Sequence, residues 1–353
     1  MLNYRIIALL LIGFVGISVK TFAQIVIDTN VGEQTIIYYD SIRKRPLKTE
    51  IWYPTPEAIT PDNNASASLP FVLKPTVRNA SLQNIKHPLI LLSHGTGGNR
   101  FSLAWLAYDL VKRGYMIVAV DHWGNTFDNK IPEQFVKGWE RPQDLSFVLT
   151  QLLNDTLLRK NIDENKIGAA GFSLGGYTVI ALAGGEIEFT LLKKYSQTKQ
   201  GKKEMTIPEF GDLSKLIADP LIEESYKHCP PLKDNRIKAV FAVAPAMGQG
   251  FESEKQMENI TNPVYIVGIE NDHIAPVTSN ATHYHDLIQG STYYVIKGDA
   301  GHYVVLNVAK DELKKEAKLY YTDPLTVDRT AIHEDISIKA LAFFQKALQK
   351  NEK

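Results

Sequence analysis

The stretch Gly171-Phe172-Ser173-Leu174-Gly175-Gly176 decides the fold class of this chain. Residues 166–170 before it have strand character, and residues 177–183 after it are apolar and rich in good helix formers. A G-x-S-x-G sequence in that context is typical of a nucleophile elbow, a tight turn whose glycines permit close backbone approach. An incidental serine in a glycine-rich turn is the alternative, and the flanking elements argue against it. The pattern predicts a Ser173 hydroxyl exposed beside a helix N-terminus, where N–H groups could stabilise an oxyanion.

Apolar runs alternate between strand and helix character from residue 88 onward, which favours a mostly parallel sheet. Further strands are predicted at residues 34–39, 48–53, 88–93, 115–121, 237–244, 263–269 and 292–297, the first two antiparallel. Helices are predicted at residues 101–113 and 332–348 and where Pro142 precedes an apolar stripe. We expect one α/β domain over residues 24–353, a twisted sheet with helices on both faces and no internal repeat.

Two segments lack a clear strand or helix pattern. Residues 55–87 change to Pro, Asn, Ala and Ser, which predicts a long surface loop, partly mobile. Residues 184–235 mix polar residues, prolines and short helical pieces between the elbow helix and the next strand. We expect this second segment to be an inserted lid over the substrate pocket. Its charged and proline-bearing composition argues against deep packing in the core.

The N-terminus and the composition limit the possible classes of function. Residues 1–23 combine Arg5, an apolar run and the small-residue end Thr21-Phe22-Ala23, which predicts a secretory signal peptide cleaved before Gln24. An uncleaved N-terminal anchor is the alternative. We therefore expect a secreted or periplasmic protein without an integral membrane segment after signal removal. The balance of 39 basic and 39 acidic residues gives no indication of a nucleic-acid partner.

A serine nucleophile needs an imidazole base, and the imidazole needs a carboxylate that holds its tautomer. In a fold with this elbow the chain order is serine, acid, histidine, with the last two on loops after late strands. His302 follows a late strand and a glycine-rich turn, and it is the predicted base. Asp272 is the predicted acid, with Glu270 as close competitor and Asp299 as a less favoured one; His273 is a weak alternative base.

The oxyanion of an acyl-transfer reaction needs two N–H donors, one from the residue after the nucleophile and one from the loop after the third strand. The sequence His94-Gly95-Thr96-Gly97-Gly98 occupies that loop. We assign the N–H groups of Leu174 and Thr96 as donors, with Gly97 as the fallback for Thr96. His94 is expected to hold the loop in shape rather than to act as a base.

Neither a metal nor a cofactor is expected. His283 and His285 are two residues apart on a predicted helix, a spacing that does not chelate a metal. Cys229 is the only cysteine, which excludes an intramolecular disulfide. It lies in neither strand nor elbow context, so a passive thiol is expected.

Five stretches carry a family resemblance: His94–Gly98 as quoted, Asp121-His122-Trp123-Gly124-Asn125-Thr126, Arg141-Pro142-Gln143-Asp144-Leu145-Ser146-Phe147-Val148-Leu149, Gly171-Phe172-Ser173-Leu174-Gly175-Gly176-Tyr177-Thr178 and Asp328-Arg329-Thr330-Ala331-Ile332-His333. Together they resemble a bacterial group of α/β-hydrolases labelled predicted dienelactone hydrolases, which is similar to platelet-activating-factor acetylhydrolases. The resemblance spans most of the chain after residue 23. It implies an α/β-hydrolase fold and hydrolase activity.

Two departures from that group affect the expected substrate. Dienelactone hydrolases proper have a cysteine nucleophile, whereas this elbow has Ser173. Plasma-type acetylhydrolases place the acid one strand earlier, where this chain reads Ala244-Pro245-Ala246-Met247-Gly248 without a carboxylate. We therefore expect a serine esterase acting on small or lipid-like carboxylic esters, with short-chain acyl esters among the candidates. A serine peptidase or amidase, or a non-catalytic binding protein that retains the fold, are the alternatives.

Overall fold

The computed structural model describes residues 29–349. The strands are β1 (Asn30–Asp40), β2 (Arg45–Thr55), β3 (Val77–Arg78), β4 (His87–Ser93), β5 (Met116–Val120), β6 (Ile162–Phe172), β7 (Thr206–Ile207), β8 (Gly211–Asp212), β9 (Ala239–Val243), β10 (Val264–Ile269) and β11 (Thr292–Ile296). The helices are α1 (Ala104–Val111), α2 (Pro132–Val136), α3 (Glu140–Asn154), α4 (Leu174–Ala183), α5 (Phe189–Ser196), α6 (Lys199–Glu204), α7 (Ser214–Ile217), α8 (Pro220–Lys227), α9 (Ala281–Leu287), α10 (Asp311–Glu316), α11 (Lys318–Tyr321) and α12 (Arg329–Gln349).

Within residues 29–349, nine strands form one mixed sheet in the order β11-β10-β9-β6-β4-β5-β2-β1-β3. The six strands from β11 to β5 are parallel, and β2 is antiparallel to both β1 and β5. Because parallel strands end at the same edge of a sheet, the segments after β4, β6, β10 and β11 meet there. Those four segments carry every residue predicted for the site.

Strand β4 shows why the centre of the sheet is buried on both faces. Leu89 and Leu91 pack in an apolar cluster with α3 and α4, whereas Ile90 and Leu92 pack in a second cluster with α1 and α12. Successive side chains of a strand point to opposite faces, so a strand between two helical layers needs a continuous apolar run. The molecule is therefore a sheet with a layer of helices on each side.

The strands and helices that were predicted from apolar runs are present, with ends that differ by a few residues. The helix predicted at residues 101–113 is shorter, because residues 99–103 form turns before α1 begins at Ala104. Strand β6 is longer than the run 166–170 that predicted it, since it extends to Phe172 and delivers the chain directly to Ser173.

The prediction of a surface loop over residues 55–87 is wrong for part of that segment. Ala65, Phe71 and Val77 are buried, and β3 pairs in parallel with the start of β1. Phe71 lies in the short apolar run Leu69–Leu73, whereas Ala65 and Val77 are single apolar residues next to polar ones. Neither pattern has the periodicity that indicates a strand or helix.

The inserted segment of residues 184–235 contains α5 to α8 and the β7–β8 hairpin. Phe189, Leu213, Ile217 and Ile222 form a third apolar cluster with α2 and Trp139. The expectation that the segment avoids deep packing is therefore wrong. The segment has a small apolar core that it shares with α2 and Trp139, and this core holds the segment to the rest of the domain.

The predicted signal peptide, residues 1–23 with cleavage after Ala23, lies outside the described residues. No helix between residues 29 and 349 has both the length and the apolar character needed to span a bilayer.

Candidate active site

The turn at Ser173 has the backbone geometry of a strained elbow. Ser173 has φ 57° and ψ −120°, backbone angles that residues other than glycine rarely adopt. A Cβ on Gly171 would lie 2.0 Å from the carbonyl oxygen of Gly175, and a Cβ on Gly175 would lie 2.0 Å from that of Ser93. Both positions therefore require glycine, and the close approach presents the Ser173 hydroxyl at the start of α4.

The structure brings Ser173, His302 and Asp272 into one hydrogen-bonded series. His302 Nε2 lies 2.9 Å from Ser173 Oγ, and His302 Nδ1 lies 2.6 Å from Asp272 Oδ2. The three residues are buried, with exposed fractions of 6%, 4% and 4%. The other carboxylate oxygen of Asp272 accepts the N–H groups of Ile274 and Ala275, each at 2.8 Å. These two bonds fix the carboxylate toward the imidazole.

The competing candidates lie elsewhere. Glu270 pairs with Lys297 at 2.9 Å and accepts the N–H of Gly298, so its carboxylate faces away from the imidazole of His302. Asp299 accepts the hydroxyl of Thr326 at 2.7 Å. His273 is exposed. Of the candidate acids and bases, the structure places Asp272 and His302 together with Ser173.

Both predicted oxyanion donors are available. Within residues 29–349, neither the Thr96 nor the Leu174 N–H has a hydrogen-bond acceptor, and both residues line the same cavity. The alternative donor, the N–H of Gly97, already donates a hydrogen bond to Asn125 Oδ1 at 2.8 Å. The geometry thus favours Thr96 over Gly97 as the second donor.

His94 orients the peptide that carries the Thr96 N–H. Its Nδ1 lies 2.6 Å from the carbonyl oxygen of Gly95, which belongs to the same peptide unit as that N–H, and the N–H of His122 lies 3.2 Å from its Nε2. Nδ1 is therefore the protonated nitrogen. Burial holds the pKa of His94 well below its usual value, so the imidazole is neutral. This contact agrees with the expectation that His94 holds the loop.

A second Ser-His-Asp series lies beneath the oxyanion loop, and sequence reasoning missed it. Ser93 Oγ is 2.9 Å from His122 Nε2, and His122 Nδ1 is 3.0 Å from Asp144 Oδ2. Arg141 donates to the carbonyl oxygen of His94 from the same side. All four side chains are at most 1% exposed. No substrate reaches Ser93, so the series is a brace for the loop rather than a second nucleophile.

Two arginines, one on β2 and one in the turn before it, balance the acidic side chains of α3 at this brace. Arg43 Nη1 lies 2.8 Å from Asp144 Oδ1, and Arg45 Nη1 lies 3.1 Å from Glu140. Burial lowers the pKa of Arg141 to about 9 and raises that of Asp144, with the neighbouring opposite charge working against burial in each case. From the sequence alone, Arg141 and Asp144 are expected to be capping and ion-pair residues at the start of α3. The one sequence signal for a role of these two residues in the brace is that both lie in the stretch 141–149, which carries part of the family resemblance.

A cavity of about 140 Å³ opens beside the two oxyanion donors. The inserted segment supplies much of its wall, through Leu192, Tyr195, Glu204, Met205, Ile207, Leu213 and Ile217. A larger cavity of about 310 Å³ lies between residues 66–76, α1 and α12, and it contains none of the predicted site residues. The smaller cavity is therefore the candidate substrate pocket.

Cys229 lies apart from this pocket. It is partly buried against Gln143, and burial raises the pKa of its thiol to about 12. A thiol with that pKa stays protonated at neutral pH, in agreement with a passive role.

Comparison with known proteins supports the fold class. No family model matches the chain. A protein described as Cutinase est1, from Thermobifida alba, is 23% identical over 212 residues, which cover 60% of this chain and 51% of that protein. The match thus spans about half the length of that relative. A solved structure described as ferulic acid esterase from Streptomyces cinnamoneus covers 92% of both chains with a TM-score of 0.59 and 18% identity.

The sheet order and the likeness to this solved structure confirm the predicted α/β-hydrolase fold. Neither comparison tests the narrower resemblance to predicted dienelactone hydrolases and platelet-activating-factor acetylhydrolases, which stays a prediction.

Proposed function

We propose that this chain hydrolyses carboxylic esters through a covalent acyl intermediate on Ser173. The observation that carries the proposal is the series of hydrogen bonds from Ser173 through His302 to Asp272. Since Nδ1 of His302 donates to Asp272, its Nε2 faces the serine hydroxyl as a proton acceptor. That arrangement supplies the base that a serine nucleophile needs at neutral pH.

The reaction proceeds in two halves. Ser173 Oγ attacks the ester carbonyl carbon while His302 Nε2 takes the hydroxyl proton, and the carbonyl oxygen becomes an oxyanion held by the N–H groups of Thr96 and Leu174. The bond to the alcohol breaks as His302 returns the proton to the departing oxygen. Water then attacks the acyl group with His302 again as base, which releases the acid and restores Ser173.

Similarity supports ester hydrolysis, and the size of the pocket supports short acyl groups. The proteins that this chain resembles are described as a cutinase and a ferulic acid esterase. The candidate pocket, at about 140 Å³, is smaller than the roughly 300–1,000 Å³ of most ligand pockets. We include acetylhydrolase-like substrates in the proposal, and we assign residues 184–235 the role of a lid that limits acyl length. Ser173 in place of cysteine argues against a dienelactone as the natural substrate.

A fluorophosphonate probe tests the nucleophile directly. The wild-type protein should be labelled on Ser173, and Ser173→Ala should not be labelled. Ser93→Ala is the matched control, since it removes the serine of the other Ser-His-Asp series, and it should still be labelled on Ser173. Equal labelling of wild type and Ser173→Ala, or none of either, would support a non-catalytic binding protein instead.

Matched substrates separate an esterase from a peptidase or amidase, because the same three side chains can cleave both bonds. An aryl ester and an anilide with the same acyl group should differ strongly in kcat/KM, with the ester faster. Comparable turnover of the anilide would favour the amidase alternative.

Export is a separate part of the proposal. Removal of residues 1–23 by signal peptidase would leave Gln24 as the N-terminal residue of the exported protein. N-terminal sequencing of protein recovered outside the cytoplasmic membrane tests it, and an intact Met1 would support the uncleaved anchor.

A further inference from the structure

Glu209 lies at the tip of the β7–β8 hairpin and faces the oxyanion loop. A Cβ on Gly97 would be 3.3 Å from Glu209 Oε1 and 3.5 Å from the ring of Phe135, so the carboxylate lies directly against the loop that presents the Thr96 N–H. The next residue, Phe210, packs its ring edge-on against Phe135 at 5.0 Å. This contact anchors the hairpin tip in the apolar cluster of the inserted segment, so Glu209 is held in place.

Two tyrosines connect this carboxylate to the imidazole of His302. Tyr320 Oη donates to Glu209 Oε1 at 3.3 Å, and the rings of Tyr320 and Tyr303 make an edge contact at 4.8 Å. The ring of Tyr303 in turn contacts His302 at 5.4 Å. Burial, with the negative charge of Glu209 adding to it, raises the pKa of Tyr303 to about 12. The phenol is therefore neutral at pH 7, and Glu209 is the source of charge in this group.

The charge of Glu209 is not balanced by an ion pair within the described part of the chain. Among residues 29–349, no Lys, Arg or His side chain forms an ion pair with it. The described residues that line the adjacent cavity include no basic side chain either. A partly buried carboxylate without an ion pair favours a positively charged neighbour, and the faces of tyrosine rings attract cations as well.

His302 protonates the departing alcohol, so groups around His302 flank the alcohol part of the ester. We propose that Glu209, Tyr303 and Tyr320 bind the alcohol part and select esters whose alcohol carries an alkylammonium group close to the ester bond. The proposal rests on the ester hydrolysis proposed above and names the substrate class of that site. By the same charge, esters with an anionic alcohol part are disfavoured.

The acetate esters of choline and of 3,3-dimethylbutan-1-ol form a matched pair, because they have the same shape and differ by one positive charge. The wild-type protein should show a kcat/KM for the choline ester about tenfold above that for the neutral ester, the size of a favourable cation–π and charge interaction. Glu209→Gln keeps the shape and removes the charge, and it should bring the ratio of the two values close to one. Added salt should lower the wild-type ratio.

Glu258→Gln is the control variant, because it removes an exposed carboxylate that lies far from Ser173. The next residue, Asn259, lies against Gly184, at the end of α4 opposite to Ser173. It should keep the wild-type ratio. A wild-type ratio close to one, or equal losses of the ratio in Glu209→Gln and Glu258→Gln, would overturn the proposal.

Binding without turnover separates this proposal from the proposed function. Calorimetry on Ser173→Ala should show tighter binding of choline than of 3,3-dimethylbutan-1-ol, and the combined variant with Glu209→Gln should lose that difference. No preference for choline overturns the alkylammonium site whether or not esters are hydrolysed. Ester hydrolysis that persists in Ser173→Ala would overturn the mechanism, while the comparison of the two alcohols would still decide the site.

Discussion

At the scale of single residues, the proposed role of Asp272 depends on the position of its two carboxylate oxygens. Oδ2 meets His302 at 2.6 Å, whereas Oδ1 is fixed by the N–H groups of Ile274 and Ala275. With both oxygens occupied, the carboxylate has one orientation. The imidazole is thereby kept in the tautomer that the proposed reaction needs, with Nε2 facing Ser173 as a proton acceptor.

Asp272→Asn should therefore lower kcat by roughly 10⁴-fold, because an amide in place of the carboxylate favours the wrong imidazole tautomer. The thermal midpoint should change little, since the asparagine oxygen can still accept the two backbone N–H groups. Steady-state kinetics on an aryl ester, together with thermal unfolding, measures both quantities.

Glu270→Gln is the paired control. It removes a charge from the same loop, but Glu270 bonds Lys297 and the backbone of Gly298 rather than His302. Its effect on kcat should be less than about tenfold, because the ion pair that is lost is exposed and worth little, and it does not contact His302. A larger loss in Glu270→Gln than in Asp272→Asn would assign the acid to Glu270.

At the scale of elements, the sequence predicts the strands and helices whose buried residues follow a regular spacing along the chain. Strand β4 and helix α3 were predictable because a strand covered on both faces is a continuous apolar run and a half-buried helix has an apolar stripe. The residues around Ser173 were predictable because chain order and loop position restrict the acid and the base. Each of these signals is local in sequence or follows the order of the strands.

The brace beneath the oxyanion loop has no such signal. It joins Ser93 at the end of β4, His122 after β5, and Arg141 and Asp144 on α3. Polar residues at those positions look like ordinary loop and cap residues, since their burial depends on contacts between distant segments. The apolar core of the inserted segment could not be predicted for the same reason, because its apolar residues are scattered among charged residues and prolines.

The inserted segment carries a prediction about acyl length. On strand β7, Ile207 lines the candidate pocket and Thr206 is exposed. Ile207→Trp should reduce the space for the acyl group and lower kcat/KM for an aryl butyrate relative to the acetate by about tenfold, the size of a contact with one or two methylene groups. A chain-length series of aryl esters measures the ratio.

Thr206→Trp adds the same side chain on the opposite face of the strand and should leave the ratio as in the wild type. Thermal unfolding of both variants separates a change in the pocket from a loss of folding. An unchanged chain-length profile in Ile207→Trp with a large drop in thermal midpoint would show that the hairpin is a structural support and not a wall of the acyl pocket.

At the scale of the whole molecule, the helical layer on one face of the sheet supports the turn that carries His302. Trp105 of α1 donates its indole N–H to Val305 at 2.9 Å, and His333 of α12 bonds the carbonyl oxygen of Val304 at 2.8 Å. The two rings are stacked at 4.1 Å. The base of the proposed reaction therefore depends on contacts with the layer that contains α1 and α12, near the larger cavity.

Acid should weaken this support. Burial lowers the pKa of His333 to about 4, and the positive charge of Arg329 adds to that effect. Below pH 6.5, the usual value, the unfolded chain binds a proton that the folded chain excludes, so the free energy of unfolding falls until about pH 4. A shift of this size corresponds to about 3 kcal/mol. The pKa values of His94 and His122 are lowered in the same direction by burial, and they add to the loss.

His333→Phe tests the contribution of this one group, because phenylalanine can keep the stacking on Trp105 but has no proton to bind. It should lower the stability at pH 7, since the bond to Val304 is lost, and it should also reduce the fall in stability between pH 6.5 and pH 4 by about 3 kcal/mol. Urea unfolding at several pH values measures both effects.

His228→Gln is the control, because the His228 side chain is 75% exposed, and it should keep the wild-type pH dependence. If His333→Phe keeps it too, the proton that destabilises the fold in acid binds elsewhere, and the buried histidines beneath the oxyanion loop become the next groups to substitute.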